Sequence, residues 1–331
     1  MRPYRVLDLS RLLPGPFATL CLQGLGFEVV KVETPDGGDY LRNMPPEHDG
    51  VGVWFAALNR GKKSVTLDLK AEGGREGLRR LLAEADVLVE SFRPGVLARL
   101  RLDPADLRRS YPRLVIASLT GWGQHGPLAH TAGHDLGFMA LAGLIRPESG
   151  VPTLQWADLA GGGLHAALRI VAALLDRERS GEGTWLDIAM LDGLIGMQCV
   201  RVASLRAGYP DADAVLTGGA AIYQLYRCAD GRSVSVGALE PQFFGPLGAE
   251  AGGLDEATLA DFFSRQPAAA WGEQLGHLCV VPVLELDEAL RHPQVASRGL
   301  FSPEGYAHPP TGPVIGPPPR LGQHNQELLG A

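Results

Sequence analysis

VLDLSRLLPGPFATLCLQGLGFEVVKVE, residues 6–33, begins and ends with apolar runs and has a helix-forming run between them. The pattern predicts a strand over 6–10, a short helix over 15–26 that stops at Gly26, and a second strand over 27–33. Both apolar runs are nearly continuous, which is typical of strands buried on both faces of a parallel sheet. The chain therefore opens with a βαβ unit.

The same alternation continues along the chain and predicts an α/β fold with a parallel sheet. Further elements are predicted by the same criteria: strands over 64–69, 87–92, 114–123 and 184–190, and helices over 74–85 and from 158 onward.

Residues 222–239 have a different character, because two strand-like runs flank the dipeptide Asp230-Gly231. This dipeptide is a strong hairpin signal. A chain of 331 residues exceeds one ordinary domain. We therefore predict a large domain over 1–205, completed by the extended, proline-rich segment 301–331, and a smaller α+β domain over 215–300.

The composition narrows the class of protein. A hydrophobic content of 45% with 20% charged residues indicates a globular protein with sizeable cores. The net charge of −7 argues against nucleic acid or an anionic membrane as the main partner. No apolar run approaches the ~20 residues of a membrane helix, and no signal peptide is evident, so we expect a soluble cytoplasmic protein. The four cysteines lack metal-site spacing and are expected to be buried, reduced thiols.

The first βαβ unit resembles a dinucleotide-binding fingerprint only superficially. Glu33 ends its second strand, but the G-x-G-x-x-G spacing is absent and Pro14 and Pro16 flank the single glycine, Gly15. No P-loop, HExxH or GxSxG motif is present either. An NAD site is therefore not predicted.

Three ionisable side chains form a candidate acid/base set. His134, in TAGHDLGFMALAGL, and Asp158, in WADLAGGGLHAAL, both precede predicted helices, where the dipole stabilises negative charge. Glu240 ends an apolar strand in VSVGALEPQFF. Taken singly, they are equally consistent with a structural histidine, a helix cap and a solvated carboxylate. Together they suit general acid/base catalysis.

Basic residues form a second set near predicted strand ends. Arg60 and Lys62 lie in NRGKKS, Lys70 ends a strand, and Arg93 and Arg99 follow another. Each taken alone is a common surface residue. As a cluster at the carboxyl ends of parallel strands, they favour a phosphorylated ligand.

These segments resemble one known family. VLDLSRLLPGPFAT, GFEVVKVETP, NRGKKSVTLDLK, VLVESFRPGVLARL, TGWGQHGPLAHTAGHDLGF, ADLAGGG, CADGRSVSVGALEPQFF, CVVPVLELDEALRHPQVASRGLF and LGQHNQELL are similar to the α-methylacyl-CoA racemases of the family III CoA-transferase (CaiB/BaiF) superfamily. The resemblance implies a Rossmann-like large domain without dinucleotide chemistry, a small domain and an interlocked homodimer. It also implies an acyl-CoA substrate of lipid metabolism, with CoA part of the substrate and no cofactor or metal.

The resemblance implies roles for individual residues. His134 and Asp158 correspond to the family's catalytic pair and Glu240 to the carboxylate associated with the histidine. The implied acyl-CoA contacts are Arg60, Lys62, Lys70, Ser91, Phe92, Arg93 and Arg99. The loop that would border the thioester consists of Gly133, His134, Asp135, Leu136, Gly137 and Phe138.

Three departures from the family pattern concern the substrate more than the reaction. Gly137 stands where a polar residue is common, and Thr34 stands where a basic residue usually follows the strand-end acid. At 219–223, GAAIY replaces a more usual GxPFY.

The predicted function is racemisation of 2-methylacyl-CoA thioesters through an enolate, with His134 and Asp158 as base and acid. The first alternative is CoA transfer between carboxylates, with Asp158 as nucleophile. Such an enzyme needs no base at His134. The second is an inactive acyl-CoA-binding protein, which does not require all three acid/base residues. The acyl chain is left open.

Overall fold

The computed structural model describes residues 2–146 and 150–330. The chain divides into two compact units. The first contains Met1–Met197 and Leu300–Ala331, and the second contains Gln198–Gly299. The division lies at 197/198, whereas the predicted large domain extends to 205, so the helix that begins at Cys199 belongs to the second unit.

The first unit is built on a six-stranded parallel sheet. The sheet consists of β1 (Arg5–Asp8), β2 (Glu28–Glu33), β5 (Lys63–Thr66), β6 (Val87–Glu90), β7 (Val115–Thr120) and β8 (Trp185–Ala189). Two short strands, β3 (Glu47–His48) and β4 (Val51–Gly52), form a separate antiparallel pair. The order across the sheet is β5-β2-β1-β6-β7-β8. The predicted α/β class and parallel sheet are confirmed.

Helices cover both faces of this sheet. They are α1 (Pro14–Gly24), α2 (Val53–Asn59), α3 (Glu72–Leu82), α4 (Val96–Arg99), α5 (Pro104–Ser110), α6 (Asp135–Leu141), a π-helix (Ala157–Leu164), α7 (His165–Ser180) and α8 (Met190–Met197). Successive strand residues point to opposite faces. Val6 packs in a core with α1 and α7, and Leu7 packs in a second core with α3, so both are fully buried.

The π-helix and α7 together form a continuous helix, Ala157–Ser180, that corrects one expectation. By length and composition it could cross a membrane, because it has 24 residues and an 18-residue window within it has a mean hydropathy of 1.4. A single helix of this kind is weak evidence for a span, since core helices meet the same criteria. Here its buried residues, among them Ile170 and Leu174, belong to the core over the sheet.

The second unit is a smaller α+β structure. It contains α9 (Cys199–Arg206), β9 (Tyr223–Arg227), β10 (Ser233–Gly237), α10 (Pro241–Ala251), α11 (Glu256–Phe263), α12 (Ala268–Leu275), β11 (Val280–Pro282), α13 (Leu286–Arg291) and α14 (Pro293–Ala296). The antiparallel order is β11-β10-β9. The hairpin turns where predicted, with Gly231 in the left-handed region at φ 77°. An aromatic cluster of Phe262, Phe263 and Trp271 fills its core.

The C-terminal segment packs on the first unit. The Thr311 hydroxyl donates to the Cys21 carbonyl at 2.6 Å, and the Gly61 N–H donates to the Pro317 carbonyl at 2.9 Å. The segment ends in α15 (Asn325–Leu329), whose Asn325 accepts a hydrogen bond from the Thr66 N–H at the edge of the sheet.

All four cysteines are free, but the expectation of burial is correct only for Cys21 and Cys228. Cys199 is exposed on α9, and Cys279 is half-buried. Cys199 is flanked by apolar residues, but no residue of α9 is buried. Apolar neighbours in the sequence therefore do not determine the burial of this cysteine.

Candidate active site

A cleft of about 800 Å³ opens at the carboxyl ends of β1, β2, β5 and β6. Ligands of open α/β sheets bind outside the carboxyl ends of the strands. The polar and glycine residues lining this cleft are Ser10, Arg11, Glu33, Thr34, Asp36, Gly37, Gly38, Asp39, Tyr40, Asn43, Asp68, Lys70, Ser91 and Arg93. The cleft therefore suits an extended polar ligand.

Four of the predicted acyl-CoA contacts line this cleft. Lys70 follows β5, and Ser91, Phe92 and Arg93 follow β6. Both cations, Lys70 and Arg93, are exposed. Arg99 is also exposed at the end of α4 but is not among the lining residues.

Sequence reasoning missed two cleft residues, Arg11 and Tyr40. The Arg11 guanidinium donates to the Tyr40 hydroxyl at 3.2 Å and lies 5.2 Å from the centre of its ring. It also lies 5.5 Å from the centre of the Phe92 ring. Arg11 follows the first strand, so the argument applied to Lys70 and Arg93 could have found it.

Lys62 is placed inside the protein, which corrects the prediction of a ligand contact. Its ammonium donates to Asp8, Thr19 and Asn59 side chains at 3.1, 2.7 and 2.9 Å and to the Pro16 carbonyl at 3.0 Å. Its side chain is fully buried. Burial lowers the pKa of Lys62 to about 8, although Asp8 opposes that shift. Lys62 therefore holds β1, α1 and β5 together.

Arg60 is also buried, and the prediction of a ligand contact is corrected for it too. Its guanidinium donates to the carbonyls of Ala57 and Ala307 and lies over the Tyr306 ring, 5.5 Å from its centre. The sequence shows only that a basic residue precedes a strand. It does not show that the C-terminal segment, which is remote in sequence, covers this residue. Arg60 anchors that segment.

Buried ion pairs form the floor of the cleft. Glu33 accepts two hydrogen bonds from the Arg42 guanidinium, both at 2.7 Å, and Lys31 Nζ lies 3.1 Å from Asp39 Oδ2. Burial alone would raise the pKa of Glu33, but the bonds from Arg42 and the nearby Lys31 charge lower it. These two acids are therefore neutralised by protein cations.

His134 lies directly before α6 and is exposed. Its backbone is extended, and its side chain makes no capping hydrogen bond to the helix. The next residue, Asp135, accepts a hydrogen bond through Oδ1 from the Asp158 N–H at 2.9 Å. The start of α6 and the start of the π-helix are thus held side by side, which brings Asp135 next to Asp158.

The sequence predicted that Asp158 precedes a helix. In the structure Asp158 lies within the first turn of the π-helix. Burial, together with the smaller effect of the neighbouring Asp135 charge, raises the pKa of its carboxyl to about 7. Single π-turns occur frequently at functional sites. A carboxyl with this pKa can either donate or accept a proton near neutral pH.

The three glycines after Asp158 serve helix packing. A Cβ on Gly161 would lie 2.7 Å from the Met190 carbonyl of α8, and one on Gly163 would lie 2.7 Å from the Phe17 ring of α1. The sequence predicted a close approach of backbone or ligand, and the structure assigns that approach to neighbouring helices.

The predicted thioester loop divides into exposed and buried parts. Gly133, Leu136 and Gly137 are exposed, whereas Phe138 is buried with its ring 4.7 Å from that of Trp122. A Cβ on Gly133 would lie 2.5 Å from the Phe138 ring. Phe138 therefore anchors the loop in the core and is not exposed to a substrate.

Glu240 belongs to the second unit, where it is exposed and directly precedes α10. Its carbonyl accepts hydrogen bonds from the Phe243 and Phe244 N–H groups. Its association with His134 stays a prediction.

Within residues 2–146 and 150–330, no group of three or more His, Cys, Asp or Glu side chains is arranged to hold a metal ion.

Comparisons with known proteins assign the chain to a family. The model of CoA-transferase family III matches residues 1–331. The chain belongs to this family. It is 35% identical to the human α-methylacyl-CoA racemase over 98% of the chain and 91% of that protein. It is 33% identical to the acetyl-CoA:oxalate CoA-transferase of Acetobacter aceti, over 93% of the chain and 87% of that protein.

Solved structures share this fold. A CaiB/BaiF family protein from Brucella suis superposes with a TM-score of 0.83 and 27% identity, covering 99% of this chain and 97% of that one. Family members thus include both racemases and CoA-transferases, so membership alone leaves the reaction open.

Proposed function

We propose that this family III protein racemises 2-methylacyl-CoA thioesters by exchanging the α-proton. The observation that carries the proposal is Asp158. Its carboxyl has a pKa of about 7 and lies beside the His134–Asp135 helix start. Racemisation needs one group that accepts a proton and another that donates one on the opposite face of the carbon.

The thioester explains why such groups suffice. Sulfur donates poorly into the carbonyl, so the α-proton is acidic for a C–H bond and the enolate is accessible. His134 removes the proton from one epimer, and protonated Asp158 returns a proton to the opposite face. For the other epimer the roles are exchanged. The carboxyl must therefore be protonated part of the time, which burial beside Asp135 favours.

Two N–H groups at the start of the π-helix already have partners and do not bind the enolate oxygen. The Asp158 N–H already donates to Asp135, and the Leu159 N–H donates to the Gln155 carbonyl at 2.9 Å. These two groups at the start of the π-helix are therefore occupied. The enolate oxygen must be bound by other groups of the assembled site.

CoA transfer is the second candidate, because a named CoA-transferase matches 93% of the chain. In that reaction the Asp158 carboxylate attacks the thioester carbonyl, the C–S bond breaks and CoA leaves as a thiolate. A carboxyl with a pKa of about 7 is about half protonated at neutral pH, and its protonated form is a poor nucleophile. The raised pKa thus favours proton exchange.

The proposal includes three further properties predicted from the resemblance: an interlocked homodimer, a cytoplasmic location and no cofactor besides the CoA of the substrate. Exposed apolar side chains on α9, Val200 and Leu205, support self-association of the second unit. Sedimentation equilibrium at two protein concentrations distinguishes a dimer from a monomer.

The reaction is tested with a 2-methylacyl-CoA in deuterium oxide, followed by NMR. We expect the parent to exchange the α-proton and to epimerise the substrate. His134→Ala and Asp158→Ala should each slow exchange by about 10² to 10⁴, the usual contribution of a general acid or base. Two variants serve as controls and should leave the rate unchanged. His130→Ala changes an exposed histidine of the same loop region, and Asp192→Ala changes an acid in the first turn of α8.

The opposite result has a specific form. If the parent shows no exchange but moves CoA to an added free carboxylate, with dependence on Asp158 and not on His134, the protein is a transferase and the racemase proposal is wrong.

A further inference from the structure

Lysine is rare in this chain, although cations are not. The sequence contains 30 lysine and arginine residues, and the lysines among them are Lys31, Lys62, Lys63 and Lys70 alone. An unprotonated lysine amine is a nucleophile, whereas an arginine guanidinium stays protonated. These four side chains therefore account for every lysine amine that a reactive thioester could meet.

Two of the four amines are out of reach of solvent. The side chains of Lys31 and Lys62 are fully buried. The Lys31 ammonium lies 3.1 Å from the Asp39 carboxylate, and the Lys62 ammonium lies 3.1 Å from that of Asp8. A thioester in solution does not contact either nitrogen.

Lys63 is partly exposed, but its ammonium is engaged. It lies 2.7 Å from a Glu28 oxygen and 2.6 Å from a Glu327 oxygen. The hydrogen bonds to Glu28 and Glu327 raise the pKa of Lys63 above its usual value. Because a raised pKa reduces the fraction of unprotonated amine, Lys63 is a poor nucleophile.

Lys70 is exposed at the cleft, in the segment between β5 and α3. Its backbone is fixed, because its N–H donates to the Asp68 carboxylate at 2.9 Å and its carbonyl accepts from the Arg75 guanidinium at 2.6 Å. Within the described ranges, 2–146 and 150–330, no ion pair engages its ammonium. Lys70 is therefore the lysine whose amine is both accessible and unpaired.

A lysine amine and a thioester form an amide without any further reactant. The unprotonated amine attacks the thioester carbonyl carbon, a C–N bond forms and the C–S bond breaks. The amine proton passes to the departing sulfur, so the products are an N-acyl lysine and CoA with a free thiol. The acyl lysine carries no charge. Acylation of Lys70 would thus remove one of the cations that line the cleft.

We propose that Lys70 is an acyl-acceptor site: acyl-CoA thioesters acylate it when no ligand covers the cleft, and a ligand in the cleft shields it. Acylation removes the Lys70 charge and weakens later binding of acyl-CoA. This inference rests on the proposed function only in taking acyl-CoA as the ligand of the cleft. The acylation uses neither His134 nor Asp158, so it is independent of whether the bound thioester is racemised or transferred.

The test incubates the full chain with dilute acetyl-CoA and follows modification by intact-protein mass spectrometry and peptide mapping. We expect acetylation of lysine to be confined to Lys70. Free CoA at ten times its Kd leaves about a tenth of the clefts uncovered, so it should slow the addition about tenfold.

Two arginine variants separate the candidate amines. Lys70→Arg keeps the positive charge and removes the nucleophilic amine, so lysine acetylation should disappear. Lys63→Arg is the matched control, and its Lys70 should be acetylated at the rate of the parent.

The consequence for binding is measured by isothermal titration with CoA. The acetylated parent should bind CoA about tenfold more weakly than the unmodified parent, as loss of one charge-assisted contact does. Lys70→Gln also lacks the charge and should show the same loss, whereas Lys70→Arg should retain most of the affinity.

Three results would overturn the inference while leaving the proposed function intact. Lys70 could stay unmodified, acetyl groups could be spread equally over Lys63 and Lys70, or excess CoA could fail to slow the addition. The proposed function is judged separately, by α-proton exchange in the parent. Absence of exchange with acetylation that is confined to Lys70 and slowed by CoA would reject the proposed function and support the inference.

Discussion

Asp8, at the end of β1, and Asp158, in the first turn of the π-helix, are two carboxylates of the first unit that are largely removed from water. Asp8 faces Lys62 at 3.1 Å and accepts from Thr19 at 2.7 Å, and its pKa is lowered although burial alone would raise it. Asp158 meets another carboxylate, Asp135, and its pKa rises to about 7.

The difference shows how one unit keeps two kinds of acid. The ammonium groups of Lys31 and Lys62 hold the Asp8 carboxylate ionised, so this side chain stabilises the fold and has no proton to exchange near neutral pH. At the two helix starts, burial and a like charge favour the protonated form, so the side chain can exchange a proton at neutral pH.

Glu90 is a third buried carboxyl, and its pKa is raised although it is not an acid/base candidate. It is buried at the end of β6, accepts from the Phe92 N–H at 2.8 Å, and burial raises its pKa to about 7, although the Ser118 and Phe92 hydrogen bonds oppose the shift. A raised pKa alone therefore does not identify an acid/base group. The contact of Asp158 with Asp135, the residue that follows His134, distinguishes it.

The largest expected effect comes from breaking the buried pair of Asp8 and Lys62. Lys62→Met leaves the Asp8 carboxylate buried without its closest cation, which should lower the free energy of unfolding by about 3 to 5 kcal/mol. Urea unfolding followed by circular dichroism measures this. Lys63→Met, which removes partly exposed pairs with Glu28 and Glu327, is the control and should cost about 1 kcal/mol or less. Equal losses for both variants would refute the structural role of Lys62.

Asp158→Asn should have the opposite sign. The folded pKa of Asp158 lies above its unfolded value, so the stability that it contributes is complete below about pH 4 and is lost as pH rises through 7. At pH 8 the folded chain carries a buried charge that asparagine lacks. We expect the variant to be about 1 to 3 kcal/mol more stable than the parent at pH 8, since each pKa unit is about 1.4 kcal/mol, and equal to it at pH 4.

Thermal unfolding at the two pH values measures this difference. Asp8→Asn provides the contrast, because Asp8 contributes stability that is present above its unfolded pKa and is lost only in strong acid. A destabilised Asp158→Asn at pH 8 would contradict the account.

A smaller effect is expected when the Asp135 charge, which contributes to the raised pKa of Asp158, is removed. Asp135→Asn keeps an oxygen that can accept from the Asp158 N–H and removes the charge that raises the pKa of Asp158. We expect the pH dependence of α-proton exchange to move down by about one pH unit, the scale of a neighbouring charge. Asp192→Asn should leave the profile in place. An unmoved profile in Asp135→Asn would leave burial as the sole cause of the shift.

Periodicity predicted the sheet because buried strands leave continuous apolar runs. The runs located the strands but not their exact ends: 64–69 was predicted, whereas β5 is Lys63–Thr66, although the buried Leu67 still donates a hydrogen bond to the Glu33 carbonyl at 2.8 Å. The C-terminal segment was predicted to be extended. Its contact with Arg60 was not predicted.

The site was predictable in its residue types and less so in its geometry. A basic residue near a strand end either points into the cleft, as Lys70 does, or into a buried pair, as Lys62 does, and its partner Asp8 is remote in sequence. The π-turn at Asp158 has no local sequence signal, because it depends on packing of glycines against α1 and α8.

The protonation state of Asp158 is the quantity on which the account depends most directly. The ¹³C chemical shift of its side-chain carboxyl, assigned by comparison with Asp158→Asn, can be followed from pH 3 to pH 9 in the full chain. The account predicts a titration midpoint near 7. A midpoint near 4, the ordinary value for an aspartate, would contradict it.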